Sequence, residues 1–488
     1  MKNIQYYLMT ILIICLGGCQ DFEELQLDPN RATQVNPGLI LTNLEVDAFD
    51  NISLDAALAS RYMVYLQGAS VSQYYGWQRA GFDPYANLRQ VIKMEEEALR
   101  LEQENYLPLA KFFRSYVIVN LTQVFGDVPY SEAMSGFEGS YTPAYDRQED
   151  IYMEVLQELE EANQELRIDE GSISGDIIYD GDIMQWKKLI NSFRLRVLMS
   201  LSLKEGNSNL DIVNRFREIV ENPATYPIFT SNADNAALRY VDREGNRYPT
   251  FNDNSIQTDY YMTESLVALF KERNDPRLFS VATRDFRSAQ AGLSPTDFDA
   301  YSGLGGSASL SENVNRANNG EGAPINPRYY DDPVNEPSLA ISYAEVAFTL
   351  AEAAQREWIT GDPVEYYEEG IRASMEFYGI GEAATEAYLQ QPSVMFDAAN
   401  GLEMILTQKY LSFFMNTGWE PFYNQRRTGI PEFDTSGSGI LNDGQVPTRW
   451  MYPESELNLN ESNVVEAIQR QYGGNDNING EMWILQPE

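Results

Sequence analysis

Apolar residues recur at helical spacing along most of this chain, and no other sequence feature constrains its fold as strongly. Runs that alternate in the manner of strands are few and short. We therefore predict a mainly α protein. The predicted helices are Leu39–Phe49, Asp55–Leu66, Leu88–Leu101, Leu107–Val124, Asp150–Leu166, Ile183–Leu203, Leu210–Val220, Thr263–Lys271, Ala340–Trp358, Val364–Phe377 and Leu402–Asn416.

Long irregular stretches rich in Gly, Asn, Asp, Ser and Pro interrupt the helical pattern. They cover about Tyr226–Ser255, Ser288–Pro337 and Gly429–Tyr452, and they carry many aromatic residues. Loops of this length in a compact protein are typically functional or disordered. No low-complexity block or linker divides the chain, so we predict one mainly helical domain over residues 39–488.

Short turns between predicted helices indicate stacked helical hairpins. The helix Leu107–Val124 ends at Gly126-Asp127-Val128-Pro129, and the next helix follows closely. Small residues at Ala351–Ala354 suit a helix contact, and a partner stripe is formed by Tyr366, Tyr367, Ile371 and Met375. This pattern is typical of tetratricopeptide-like helix pairs, although no regular repeat length is present.

Composition excludes several functions. The 488-residue chain has 35 Lys+Arg, 73 Asp+Glu and no His, which gives a formal charge of −38 at pH 7. Without His there is no Ser-His-Asp triad, no histidine metal ligand and no imidazole proton shuttle. The acidic balance argues against nucleic acid or an anionic lipid surface as a partner.

The N-terminus has the pattern of a lipoprotein signal. A Lys2 start and an apolar run lead to Leu16-Gly17-Gly18-Cys19, which matches a lipobox. We predict a signal peptide over residues 1–18, lipidation of Cys19, and a lipidated tether over 19–38 that anchors the protein to a membrane. Cleavage would also discard Cys15, so the mature chain would hold neither a disulfide nor a free thiol.

A series of motifs along the chain resembles the SusD/RagB family of outer-membrane nutrient-binding lipoproteins. The matches run in family order and include a branch-specific pair near the C-terminus, typical of the SusD-like branch. They are Leu27–Thr33, Phe125–Ala133, Tyr145-Asp146, Gly181-Asp182, Asn191–Arg196, Asn274–Leu278, Ala344–Val346, Leu350–Ala353, Trp419-Glu420, Arg426–Gly429 and Pro447–Pro453.

The resemblance implies a SusD-like fold: tetratricopeptide-like helix pairs carrying a loop-rich irregular half. It also implies a cell-surface lipoprotein of the outer membrane that captures a nutrient and delivers it to a SusC-like TonB-dependent transporter. Such proteins bind their ligand and do not cleave it, so no enzyme activity is expected. We interpret four arginines that recur in the family as forming buried or loop-tying ion pairs: Arg194, Arg196, Arg426 and Arg427.

Exposed aromatic residues among polar ones in loops are the expected footprint of an oligosaccharide, because a sugar ring stacks on an aromatic face and its hydroxyls bind polar side chains. Two loops have this composition, and a weaker third covers Arg247–Asn254. The predicted ligand-binding residues are Tyr74, Tyr75, Trp77, Arg79, Asp83, Tyr301, Asn326, Arg328, Tyr329 and Tyr330. Core packing is the competing interpretation for the aromatic ones.

Two alternatives for function stay open on the sequence. The same role could serve oligopeptides, since the family includes peptide importers. An exported acidic glycoside hydrolase is an alternative from another class, and it would need a close pair of carboxylates. No cofactor is expected. A structural calcium is compatible with so acidic a chain, but the Asn475–Gly480 segment lacks the bidentate Glu of a calcium loop, because Gln486 occupies that position.

Overall fold

The structure is a computed structural model and describes residues 34–170 and 172–488. Its helices are α1 Pro37–Phe49, α2 Leu54–Ala59, α3 Tyr85–Leu101, α4 Tyr106–Phe125, α5 Gln148–Glu165, α6 Ile183–Ser200, α7 Ile212–Glu221, α8 Asn254–Thr258, α9 Glu264–Glu272, α10 Leu278–Val281, α11 Phe286–Gln290, α12 Leu310–Asn318, α13 Arg328–Asp331, α14 Tyr343–Gln355, α15 Pro363–Phe377, α16 Glu382–Leu389, α17 Gly401–Ser412, α18 Glu420–Thr428, α19 Glu454–Leu459 and α20 Glu461–Tyr472.

Four short strands complete the regular structure. They are β1 Met63–Tyr65, β2 Ala236–Leu238, β3 Tyr260–Met262 and β4 Ser338–Ile341. β1 pairs antiparallel with β3, and β2 pairs antiparallel with β4. The protein is therefore mainly helical, as predicted, with two small two-stranded sheets in its loop-rich part.

Consecutive long helices pack side by side, from α3 to α7 and again for α14, α15 and α17. The helix starts follow local chemistry: the Asp182 carboxylate caps α6 by accepting from the amides of Met184 and Gln185. Gly370 on α15 lets that helix approach α14 closely, since a Cβ there would lie 2.6 Å from the Phe348 ring. This arrangement confirms the helix pairs.

Aromatic side chains fill the core of the helical part. Trp186 is fully buried with its ring centroid 5.8 Å from that of Phe112, and its indole N–H donates to Asp176 at 2.8 Å. Phe193 and Trp358 are also buried, so these residues serve packing. A second cluster of buried aromatic and aliphatic residues lies in the loop-rich part, and the half-buried Trp450 packs against both clusters.

Buried arginines join distant elements, as expected for arginines that recur in the family that the motifs resemble. Arg196 donates to both oxygens of Glu345, and Arg427 donates to both oxygens of Glu352. Arg194 pairs with Glu160. Arg426 instead binds carbonyl oxygens of Gln123 and Thr448, so it ties a loop without an ion pair to any described residue.

The predicted helices are confirmed with one substantial correction. The helix expected over Asp55–Leu66 ends at Ala59, and Met63–Tyr65 forms β1 instead. The backbone of Arg61 has φ of 61°, which ends a right-handed helix. Several short helices in the loop-rich part and α20 near the C-terminus have no counterpart in the prediction. The single-domain organisation stays a prediction.

Candidate ligand-binding surface

The three loops predicted to bind ligand all border the β1–β3 sheet. From the first loop, Gln73 accepts a hydrogen bond from the Tyr65 amide at 2.8 Å. From the second, the Ala323 carbonyl accepts from the Met262 amide at 2.9 Å, and Pro324 bridges to β3. The third leads through α8 directly into β3. Segments far apart in sequence therefore converge on one small sheet.

Tyr65 and Tyr260 form a partly exposed aromatic surface at one end of this sheet, which we call the tyrosine ledge. They are direct cross-strand partners, with ring centroids 4.9 Å apart and planes tilted by 39°. At the other end, the pair Met63 and Met262 is fully buried and anchors the sheet in the core. Neither phenolic oxygen of the ledge hydrogen bonds to a described residue, so both remain open to solvent or ligand.

Polar groups surround the ledge. The exposed Gln67 donates from its side-chain amide to Asp259 at 2.9 Å, and Ser72 donates to Asp55 at 2.8 Å. Burial first, and then Tyr65 and nearby carboxylates, raise the pKa of Tyr260 to about 12. This phenol therefore keeps its proton at neutral pH and can donate a hydrogen bond. Two stacked rings with amide and carboxylate groups at their edge suit a polyhydroxylated ring.

Three aromatic residues of the first predicted loop are buried. Tyr74, Tyr75 and Trp77 are 2%, 0% and 3% exposed. The Tyr75 hydroxyl donates to the Ala59 carbonyl at 2.9 Å, and Trp77 stacks on Trp450 with centroids 3.9 Å apart. The exposure assumed in the prediction is thus wrong for these rings, because an irregular loop needs aromatic packing to hold it on the core.

The second predicted loop is similar. Tyr301 and Tyr329 are 3% and 0% exposed, and their hydroxyls donate to the Pro295 carbonyl and to Glu336. The premise of exposure is wrong here too. Asn326 forms a local turn by accepting from the Arg328 amide, and half-buried Tyr330 accepts from the Asn252 amide through its carbonyl.

The charged residues of the prediction take up separate positions. Arg79 donates to the Tyr452 carbonyl at 2.6 Å and to Asp476 at 2.7 Å, so it holds the C-terminal segment. Arg328 pairs with Glu336 at 3.1 Å. Asp83 is exposed and lines an open cleft of about 540 Å³ beside Phe82 and Tyr85. A direct ligand contact by any of the ten residues stays a prediction.

A family model described as starch-binding and associating with the outer membrane matches residues 29–453. The chain belongs to the SusD-like family. None of the helices in residues 34–170 and 172–488 is both long and apolar enough to cross a membrane. The signal peptide, Cys19 and the tether up to residue 33 lie outside the described residues.

Solved structures show the same relationship for this SusD-like chain. It is 39% identical to an outer-membrane protein from Bacteroides vulgatus, with 93% of this chain and 100% of the other covered and a TM-score of 0.87. A SusD homologue from Bacteroides fragilis is 41% identical with the same coverage and a TM-score of 0.86. A chitin-binding protein is 27% identical over 92% of this chain and 99% of its own, with a TM-score of 0.75. No curated protein matches.

The sequence analysis did not select three tyrosines of this sheet as candidate site residues, namely Tyr65, Tyr260 and Tyr261. Tyr261 is partly exposed on the other face of β3. The segment Thr258-Asp259-Tyr260-Tyr261 has the same mixture of aromatic and polar residues as the loops that were chosen. That composition was a usable signal. Tyr65, in contrast, stood inside a predicted helix, so its cross-strand position could not be recognised.

The carboxyl group of Glu45 has a raised pKa and lies in an enclosed position. Burial first, and then the neighbouring Asp176, raise the pKa of Glu45 to about 10. Both side chains belong to the core, at 0% and 7% exposed, and the Glu45 carboxyl accepts from the Ile177 amide at 2.8 Å. This pair ties α1 to the loop before α6 and offers no access to a glycosidic bond.

Within the described ranges, no group of three or more acidic, Cys or His side chains is placed to hold a metal ion. Asn477 and Asn479 are used within their loop, where Asn479 exchanges amide hydrogen bonds with Asn442 at 2.8 and 2.9 Å. A structural calcium stays a prediction without named ligands.

Proposed function

We propose that this SusD-like protein binds an oligosaccharide at the cell surface, with the tyrosine ledge as its stacking surface. The observation that carries the proposal is the convergence of three aromatic and polar loops on one partly exposed cross-strand tyrosine pair. A starch-binding family model and a chitin-binding structural relative support a glycan as the ligand. No covalent step is assigned to the ledge, and we propose that the protein is not an enzyme.

The proposal extends to delivery of the ligand. A lipid on Cys19 would hold the protein on the outer membrane, and a SusC-like TonB-dependent transporter would receive the captured oligosaccharide. Family membership supports this role. The net charge of −38 supports it as well, because an acidic body is repelled from anionic head groups and would hang away from the membrane on its tether.

Isothermal titration against a panel of maltooligosaccharides, chitooligosaccharides and peptides tests the ligand class. We expect the wild type to bind a member of the glycan set. The double variant Tyr65→Ala/Tyr260→Ala should bind it at least about tenfold more weakly, since an aromatic contact is worth about 0.5–1.5 kcal/mol and about 1.4 kcal/mol is tenfold in Kd.

Tyr141→Ala is the matched control, because Tyr141 is 79% exposed and lies in the connection between α4 and α5. It should bind as the wild type does. If the protein binds peptides and none of the glycans, the proposed ligand becomes an oligopeptide and the role stays the same. Turnover of a chromogenic glycoside that one Asp or Glu substitution abolishes would favour the glycoside hydrolase instead.

A further inference from the structure

A second aromatic cavity, of about 380 Å³, lies between the helical part and the loop-rich part. We call it the tryptophan cleft. It shares no lining residue with the tyrosine ledge, and its volume falls in the range of small-molecule sites. Its lining includes Asn51, Asn120, Thr417, Trp419, Glu420 and Trp450.

Two indole rings at a right angle form its aromatic wall. Trp419 and Trp450 have centroids 4.8 Å apart and an interplanar angle of 89°. Trp77 covers one face of Trp450, with ring centroids 3.9 Å apart and planes within 12° of parallel. The wall is therefore held in place from behind before any ligand arrives, which lowers the ordering cost of binding.

Two polar side chains of the cleft form no side-chain hydrogen bond with a described residue. Thr417 is 3% exposed, yet its hydroxyl has no hydrogen-bond partner there. The Glu420 carboxylate accepts no hydrogen bond from a described residue, and its ion-pair contact is Arg196 Nη1 at 3.6 Å. A buried hydroxyl without a partner is costly, so a ligand hydroxyl that met it after a rotation of the Thr417 side chain toward the cleft would relieve an existing deficit.

Arg196 positions Glu420 without being free to bind a ligand itself. Its other donors are taken by Glu345, at 2.6 and 2.5 Å, and by the Ala340 carbonyl at 2.6 Å. Burial first, and then Glu345, raise the pKa of Glu420, while Arg196 opposes them. Asn51 and Asn120 add amide groups to the rim. The cleft thus combines apolar ring faces with one acceptor, one hydroxyl and two amides.

We infer that the tryptophan cleft is a second saccharide site, which holds one or two neutral sugar units apart from the tyrosine ledge. The inference rests on the proposed function. The cleft has the chemistry of a sugar ring site because its aromatic wall suits C–H faces and its unpartnered polar groups suit hydroxyls. Its small volume restricts it to a short saccharide or to one end of a chain.

The test uses the mature chain, maltose and chitobiose as short probes, and maltohexaose and chitohexaose as long ones. Each variant is titrated with these probes. Thr417→Val removes the hydroxyl and keeps the shape of the side chain, and Glu420→Gln serves as a second variant. Thr417→Val should bind the disaccharide about tenfold more weakly, because a hydrogen bond to a buried group is lost. Its thermal stability should stay at or above the wild-type value, because an unsatisfied hydroxyl is gone.

Two further variants separate the sites. Tyr65→Ala/Tyr260→Ala should weaken the binding of hexasaccharides more than that of disaccharides, whereas Thr417→Val should do the reverse, and the exposed Thr142→Val should change neither. Wild-type disaccharide affinity in both Thr417→Val and Glu420→Gln would overturn the inference, as would a greater loss of disaccharide binding in the ledge variant than in Thr417→Val. A wild type that binds hexasaccharides but no disaccharide would overturn it and leave the proposed function standing. Silence toward all four glycans would overturn both.

Discussion

A buried arginine between two helices and a buried arginine among loops donate to different kinds of acceptor. Arg427 on α18 donates to both carboxylate oxygens of Glu352 on α14, at 2.6 and 2.8 Å. Arg61, in the loop-rich part, donates to three backbone carbonyls, those of Gln73, Gly306 and Asp434, at 2.5, 3.2 and 3.2 Å. Both side chains are almost fully buried.

The difference follows from where free acceptors exist. Carbonyl groups inside a helix already accept intrahelical hydrogen bonds, so a buried cation between helices needs a side-chain carboxylate. Loops present carbonyls without such partners, and one guanidinium with five N–H donors can tie several of them together. At these two positions, the helical part therefore uses a charge pair, and the loop-rich part uses a cation that organises backbone.

Removing a carboxylate partner should have the largest effect. Glu352→Gln leaves Arg427 buried without its counter-ion, and we expect a loss of about 3–5 kcal/mol in the free energy of unfolding by urea titration. Burial raises the Glu352 pKa, but Arg427 and Arg356 outweigh it and lower the pKa to about 2 from 4.5. The stabilisation is then complete above pH 4.5 and is lost as the pH falls toward 2.

The control for this variant is Glu403→Gln, at an exposed position on α17, which should stay within about 0.5 kcal/mol of the wild type. A loss for Glu352→Gln no greater than that of the control would contradict the charge-pair account of the helical part.

Arg61→Met tests the loop side of the comparison. Met keeps much of the side-chain length, but three carbonyls lose a shared donor, so we expect a loss of about 2–4 kcal/mol. In the variant, the amides around Gly306 and Asp434 should exchange hydrogen faster than in the wild type, and the acceleration there should exceed that of the α6 amides. Uniform acceleration across the chain, or none, would argue against a local organising role for Arg61.

Glu336 gives a pH-dependent test in the loop-rich part. Burial raises its pKa to about 7, and Arg328 and Tyr329 lower it only in part. A raised carboxyl pKa means that the contribution of Glu336 to the free energy of unfolding is greatest below pH 4.5 and is lost as the pH rises through about 7. Between pH 5 and 8 the wild type should lose about 2–3 kcal/mol more than Glu336→Gln. Parallel pH profiles for the two proteins would refute this.

The smallest effect is expected at a surface ion pair. Arg372 contacts Glu368 and Glu386 at 3.0 and 2.9 Å, but all three side chains are well exposed. Arg372→Ala should cost less than about 1 kcal/mol, and high salt should shrink the difference further. A cost comparable to that of Glu352→Gln would show that burial is not what separates strong pairs from weak ones here.

Periodicity in the sequence predicted the long helices well, because each buries its own apolar stripe. The helix expected at Ile183–Leu203 is found at Ile183–Ser200. The prediction was wrong where tertiary pairing decides: Met63–Tyr65 becomes a strand through β3, which lies far away in sequence. α20 was missed because its buried residues are few, namely Val464, Ala467 and Ile468.

The place of the predicted loops in the fold was easier to predict than the exposure of their side chains. Aromatic composition indicated loops that border the β1–β3 sheet, yet it could not tell a buried ring from an exposed one. Trp77 is covered because Trp450 stacks on it, and Tyr260 is open because its neighbour across the strands is another tyrosine at the end of a sheet. Such differences depend on partners supplied by remote segments, which a single sequence does not reveal.

The tyrosine ledge has a consequence for how binding competence arises. Its two strands are joined at one end by Gln67 and Asp259, which are 192 residues apart in sequence. Contacts of such high contact order form late in folding, after local helices. A truncated or half-folded chain can therefore contain every residue of the ledge without possessing it, and under the proposed function ligand capture would report that this long-range pairing has formed.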